Sequence, residues 1–210
     1  MLLYYITDRT QFPGTEIDRR RLLLKKISEA AHTGVDYIQL REKDLSGRDL
    51  EYIAREAERL IRESASHARL LINSRTDVAL AVGANGIHLR SKDVSPDDVG
   101  TIWRSAKIST PPIIAVSCHT ASEISAAEAN GASFIVFGPV FEKAGVPAAT
   151  GVAQLREVCR TCKIPVLALG GVNLENARDC IQAGAQGIAA IRLFQENDMG
   201  KLASKLRQLA

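Results

Sequence analysis

The sequence of 210 residues has no run of Lys or Arg long enough to form a basic arm. It has no stretch near the roughly 20 apolar residues that a membrane span needs, and no linker rich in Pro, Gly or Ser. With a net charge of only +3, from 27 basic and 24 acidic residues, the first absence argues against nucleic acid as a partner. The densest basic cluster, Arg19-Arg20-Arg21 with Lys25-Lys26, opens a predicted helix and reads as a solvated face. The second absence argues against a membrane protein. The third leaves one domain over residues 1–210, a length that suffices for a single barrel-sized core. The opening stretch Met1–Asp8 lacks a basic n-region and meets a charge at Asp8, so it reads as a first strand rather than a secretory signal. A cytoplasmic setting is the expectation. Cysteine is scarce, with four residues. Cys159 and Cys162 have CxxC spacing, but they close a helical segment ahead of a strand, whereas a redox pair opens a helix whose dipole lowers the thiol pKa. A zinc site needs a second such pair, and none is present.

What is present is a repeat. Gly34-Val-Asp-Tyr-Ile, Gly83-Ala-Asn-Gly-Ile, Gly131-Ala-Ser-Phe-Ile and Gly184-Ala-Gln-Gly-Ile recur at spacings of 49, 48 and 53 residues. Each glycine follows an Ala-rich helical segment, as a helix-ending residue with positive φ does. The repeat marks four strands, the first of them Val35–Leu40. Four more lie between them, at Leu3–Thr7, Arg69–Asn73, Ile113–Ser117 and Pro165–Leu169. Helix starts are marked by Ser46 before Asp49, Ser74 before Asp77, Thr120 before Glu123, Ser95 before Pro96-Asp97-Asp98, and Asn173 before Glu175. Eight alternating strand–helix units in this length predict a (β/α)8 TIM barrel of parallel strands. A doubly wound open sheet is the alternative, and the fourfold repeat favours the closed ring.

In a barrel, chemistry sits at the C-terminal ends of the strands. Those ends are polar and glycine-rich here. Gln39, Arg41 and Lys43 place an amide, a guanidinium and an ammonium just past the second strand, a donor set suited to a phosphate or diphosphate. The alternative is a solvated Arg-Glu-Lys turn with ordinary surface ion pairs. Gly170-Gly171, ahead of a helix expected to open at Asn173, allow a phosphate to approach backbone N–H groups. The alternative there is a tight turn.

These ends carry a resemblance that runs nearly the whole length. Tyr5-Ile-Thr-Asp-Arg9, Gln39-Leu-Arg-Glu-Lys43, Leu71-Ile-Asn73, Asp77–Gly83, Gly86-Ile-His-Leu89, Ser117-Cys-His-Thr120, Phe137-Gly-Pro-Val-Phe141 and Leu169-Gly-Gly-Val-Asn173 together resemble the thiamin phosphate synthase family, whose relatives include thiazole tautomerases. The resemblance implies a transferase that joins hydroxymethylpyrimidine diphosphate to thiazole phosphate and releases diphosphate. The implied route is dissociative: a pyrimidine-stabilised cation is captured by the thiazole nitrogen. It implies Arg41 and Lys43 as catalytic cations, Gln39, Asn73 and Ser117 as pyrimidine and diphosphate contacts, Gly170 and Gly171 as the thiazole phosphate site, and Asp93 as a ligand of Mg2+. Its partners would be the two phosphorylated small molecules, with a homo-oligomer also allowed.

The departures fall at functional positions. After Asn73 the family usually has Asp; here Ser74 stands, read as the N-cap of the next helix. After His88-Leu89 the usual Gly-Gln is Arg90-Ser91, where the large cation either fills the pocket or supplies charge the lost Asp no longer balances. The loop after Phe141, usually rich in Thr, Ser and Lys, is Glu142–Thr150, with Lys143 the one lysine to grip phosphate. The family's Ser near the last strand is Arg192, which either binds phosphate or pairs with an acid. Pro139 stands where the tautomerases have a His, which disfavours that activity unless His88 or His119 replaces it. A thiazole phosphate tautomerase and a non-catalytic binder of a phosphorylated thiamin precursor are the competing readings.

Overall fold

The computed structural model describes residues 1–142 and 149–209, so Lys143 lies outside the described residues. Strands and helices alternate along the chain: β1 (Leu2–Ile6), α1 (Glu16–His32), β2 (Tyr37–Leu40), α2 (Gly47–Glu63), β3 (Arg69–Asn73), α3 (Thr76–Val82), β4 (Gly86–Leu89), α4 (Pro96–Ser105), β5 (Ile113–Cys118), α5 (Ala121–Ala129), β6 (Phe134–Phe137), α6 (Gly151–Thr161), β7 (Val166–Leu169), α7 (Ala177–Gln182), β8 (Gly187–Ala190), α8 (Arg192–Gln195) and α9 (Met199–Arg207). Each strand pairs in parallel with the next, and β1 pairs with β8 through Leu2↔Gly187 to Tyr5↔Ala190. That last pairing closes the ring and excludes the open doubly wound sheet. The fold is a (β/α)8 barrel.

Local chemistry explains the element boundaries. The four repeat glycines, Gly34, Gly83, Gly131 and Gly184, all have positive φ, between 70° and 102°. Each lets the chain leave a helix and enter the next strand without a Cβ penalty. Ser46, Ser95 and Thr120 cap α2, α4 and α5 through their hydroxyls, the last two as full capping boxes. Two helix-start readings are corrected. Ser74 does not cap α3: its φ is +59°, and Arg75 precedes the helix with no side-chain cap. Asn173 caps a turn, accepting from the N–H groups of Glu175 and Asn176, and α7 begins only at Ala177. Amphipathic spacing seats the helices: α2 buries Leu50, Ile53, Ala54, Ala57 and Ile61 along one stripe.

Two apolar cores result. The larger lies between strands and helices. The smaller fills the barrel interior with Tyr4, Ile6, Leu71, Ala115, Phe134, Val136, Leu167 and Ala189. Because side chains alternate along a strand, the next inward positions toward the C-terminal ends are Gln39, Asn73, His88 and Ser117. The upper interior is therefore polar on β2 to β5, while Ile6, Val136, Leu169 and Ile191 keep the opposite wall apolar.

The interior admits no extra atoms where strands approach closely. A Cβ on Gly86 would lie 1.9 Å from the Ile113 carbonyl oxygen, whereas one on Gly83 would meet nothing within 4 Å. Gly86→Ala is expected to cost about 3 kcal/mol through overpacking against backbone. Gly83→Ala should cost about 1–2 kcal/mol through its left-handed conformation alone. Chemical denaturation of the two variants checks the order.

Candidate functional site

The end of β2 is held by a buried carboxylate. Glu42 accepts from the Thr7 hydroxyl at 2.6 Å, from the Arg9 N–H at 3.0 Å and from the Arg9 guanidinium at 3.2 Å. The Thr7 hydroxyl in turn accepts from the Arg41 N–H at 2.9 Å. The Arg9 guanidinium also donates to both Asp44 oxygens, at 2.6 and 2.8 Å, and to Glu16 at 2.9 Å. Arg9 thus consumes the acids of this turn. Among the described residues Arg41 and Lys43 form no ion pair with them. The turn is solvated only in part: Glu42 is buried and Arg41 half-buried, while Lys43 is exposed.

Arg41 and Lys43 instead line a cavity of about 440 Å3 at the mouth of the barrel, with Gln39, Asn73, His88, Arg90, Lys92, Ser117 and His119. Among the described residues its lining holds four cationic side chains and no carboxylate. The Lys43 ammonium is held below its ordinary range, first by the Arg41 charge, then by burial and by Arg90. Burial lowers Arg41 as well. Cations crowded in this way favour a polyvalent anion. On the polar wall, Gln39 donates through Nε2 to Asn73 Oδ1 at 2.9 Å, while its own Oε1 is buried without a partner among the described residues. A buried lone acceptor is expensive unless a ligand donor meets it.

The two histidines here are tied down. His88 is fully buried, with Nδ1 2.9 Å from the Tyr4 hydroxyl and Nε2 2.7 Å from Ser117 Oγ. Burial, aided by the Arg41 charge, pushes its pKa down to about 3. It is a neutral structural group. His119 is held through Nδ1 by the Gly138 carbonyl.

A second cavity of about 390 Å3 adjoins the first, with Leu169 and Ile191 in both linings. It brings together Gly170, Gly171, Asn173 and Arg192. Glycine is required at both positions: a Cβ on Gly170 would lie 2.5 Å from Pro139 Cα, and one on Gly171 2.8 Å from Phe141 Cβ. Packing of the loop after β6 thus sets these glycines, and the opening beside them is a consequence.

Ser74, Asp93 and Arg90 form a cluster beside the first cavity. Ser74 donates to Asp93 Oδ2 at 2.5 Å, and Arg90 donates to the same carboxylate from its N–H at 2.8 Å and from its guanidinium at 2.8 and 3.1 Å. Burial pushes the Asp93 carboxyl up, but these donors outweigh it and hold it below the usual carboxylate range.

The thiamine monophosphate synthase family model matches residues 3–194. The thiamine-phosphate synthase of Methanospirillum hungatei is 37% identical over 192 residues, covering 90% of this chain and 87% of that protein. That of Syntrophomonas wolfei is 36% identical over 211 residues, covering 99% and 95%. The structure of thiamine phosphate pyrophosphorylase from Pyrococcus furiosus superposes with a TM-score of 0.81 at 32% identity, over 99% of this chain and 94% of that one. The chain belongs to the thiamine monophosphate synthase family.

As a member of this family the chain gathers Gln39, Arg41, Lys43, Asn73 and Ser117 in one cavity, and Gly170, Gly171 and Arg192 in its neighbour. Asp93 stands outside the first lining, bound to Arg90. The sequence reading took Arg90 as a cation that fills the pocket or supplies charge there, and gave Lys92 no role. The signal available was their position just past β4, two residues apart on a strand-end loop. The cysteines stay inert: burial pushes Cys159 and Cys162 up to about 11.

Two predictions follow from this geometry. Arg41→Ala should weaken inorganic diphosphate binding by about 10- to 100-fold, the worth of a charge-assisted hydrogen bond, while the melting temperature changes little; calorimetric titration and a thermal scan check both. His88 takes no proton in the folded state above about pH 3, but does so below pH 6.5 once unfolded. Its contribution to stability is therefore complete above pH 6.5 and declines as pH falls, at up to about 1.4 kcal/mol per pH unit. His88→Gln should flatten the fall in stability between pH 6.5 and 5, measured by denaturant titration.

Proposed function

We propose that this protein is a thiamin phosphate synthase: it transfers the hydroxymethylpyrimidine group from its diphosphate to the nitrogen of thiazole phosphate. The observation that carries the reading is the cavity that holds, among the described residues, four cationic side chains and no carboxylate, adjoining a second cavity with Gly170, Gly171 and Arg192. One chamber suits a diphosphate and the other a monophosphate, and the apolar residues shared between them would lie where the two rings meet.

The bond from the pyrimidine methylene carbon to the diphosphate oxygen breaks, and that carbon bonds to the thiazole nitrogen. The leaving diphosphate carries away the electron pair, so no protein nucleophile is needed. Catalysis then rests on charge stabilisation and positioning. Arg41 and Lys43 are placed to neutralise the leaving group. Gln39 and Asn73, joined by their amides, orient the pyrimidine, with Gln39 Oε1 free to accept from it. Arg192 and the glycine turn hold the thiazole phosphate. Lys143, outside the described residues, is a further phosphate contact in this reading.

Mg2+ is the proposed cofactor. Among the described residues no three His, Cys, Asp or Glu side chains form a metal-binding group. The Asp93 carboxylate and Ser74 hydroxyl are nonetheless adjacent oxygen donors. One carboxylate completed by phosphate oxygens and water suits Mg2+. When bound it would neutralise charge on the diphosphate. Arg90 would have to release Asp93 for this to occur. No helix of the described residues is long and apolar enough to cross a membrane, and a cytoplasmic setting goes with the reading. Pro139 carries no proton and His88 is neutral and doubly bonded, so a tautomerase would rest on His119 alone.

An end-point assay with both phosphorylated substrates and Mg2+, reading thiamin phosphate after oxidation to its fluorescent derivative, should give product well above the no-enzyme control. Absence of product from folded protein would overturn the reading.

A further inference from the structure

Tyr4, His88 and Ser117 form a chain of hydrogen bonds that leads from the sealed barrel interior to the cavity. The Tyr4 ring is fully buried and packed edge-on against Tyr37 and Phe134, at centroid distances of 5.8 and 5.7 Å. Among the described residues its hydroxyl has one hydrogen-bond partner, His88 Nδ1 at 2.9 Å. His88 Nε2 reaches Ser117 Oγ at 2.7 Å, and Ser117 lines the cavity.

The direction of these bonds follows from where hydrogens can go. A neutral imidazole carries one N–H and one acceptor nitrogen. Were the proton on Nδ1, the Tyr4 oxygen would accept it and the Tyr4 O–H hydrogen would be left without an acceptor inside the barrel. An unmet buried donor is costly. With the proton on Nε2, Tyr4 donates to Nδ1 and Nε2–H donates to Ser117 Oγ. The one hydrogen then left over is that of Ser117, which faces the cavity, where water or a ligand can accept it.

We infer that Tyr4 and His88 are positioning residues that fix Ser117 as a hydrogen-bond donor toward the cavity, where it reads an acceptor atom on the pyrimidine substrate. The inference deepens the proposed synthase reading. A substrate ring nitrogen without a proton meets this donor, whereas a ring N–H could use only the second Oγ lone pair and would leave the Ser117 hydrogen without that partner, so the relay favours the acceptor form of the base.

The test begins without substrate. Long-range proton–nitrogen correlation NMR of protein carrying nitrogen-15 histidine should show His88 protonated at Nε2 and bare at Nδ1. A proton on Nδ1 would overturn the inference. Tyr4→Phe removes the donor that fixes Nδ1 as the acceptor, so the preference for the Nε2–H form should weaken and the two tautomers mix. Its KM for the pyrimidine diphosphate should rise about tenfold, the worth of one hydrogen bond. The KM for thiazole phosphate and the affinity for inorganic diphosphate should stay within about twofold. In a Ser117→Ala background, Tyr4→Phe should add less than about a twofold effect, since coupled residues are not additive. An equal loss from Tyr4→Phe in both backgrounds would mean a packing role and would also overturn the relay. The expected tautomer in a wild type that does not bind the pyrimidine diphosphate would support the relay and overturn the synthase reading, which keeps the two apart.

Discussion

The arrangement of the barrel mouth depends on the buried carboxylate of Glu42. It takes hydrogen bonds from Thr7 and Arg9, both on the turn that follows β1. Removing one partner of such a pair strands a buried charge, at a cost of about 3–5 kcal/mol, so the contact is firmly set. It welds the end of β1 to the end of β2, and it decides which charges remain available. Because Arg9 holds Glu42, Asp44 and Glu16 together, Arg41 and Lys43 line the cavity without an ion-pair partner among the described residues. An anion site of this kind is made by keeping nearby acids occupied as much as by placing cations.

Much of the fold was legible because its determinants are local. The positive-φ glycines recur at one step of the repeat, and the caps at Ser46, Ser95 and Thr120 are read from spacing alone. Strand bounds agree to within two residues: Arg69–Asn73 is unchanged, while Val35–Leu40 shortens to Tyr37–Leu40 because Val35 and Asp36 bond as a connecting turn to Ala30 and Leu3. Closure of the ring is not local, since it rests on β1 meeting β8 nearly the whole chain away. The repeat implied it only through the equivalence of successive units.

The site was legible as a set of strand ends but not as a set of pairings. Ser74 has the spacing of an N-cap, yet its left-handed backbone turns the hydroxyl to Asp93. Glu42 reads as one member of a charged turn, yet it is buried. His88 offers the chemistry of a base in sequence and is a satisfied neutral group in space. Each of these outcomes is set by a partner 15 or more residues distant, such as Tyr4 for His88 and Asp93 for Ser74. Arg90 was legible in part: its place just past β4 marked a large cation at the pocket, but not that it would also hold Asp93, three residues on.

The account turns on whether the uncompensated cations at the mouth form a diphosphate site. The most direct measurement is calorimetric titration of inorganic diphosphate into the wild-type protein at rising salt, with monophosphate as the reference. The account predicts saturable binding of diphosphate, tighter than that of monophosphate and weakening steadily as salt screens the cations. Folded protein that binds neither anion, or binds both equally and without salt dependence, would contradict it.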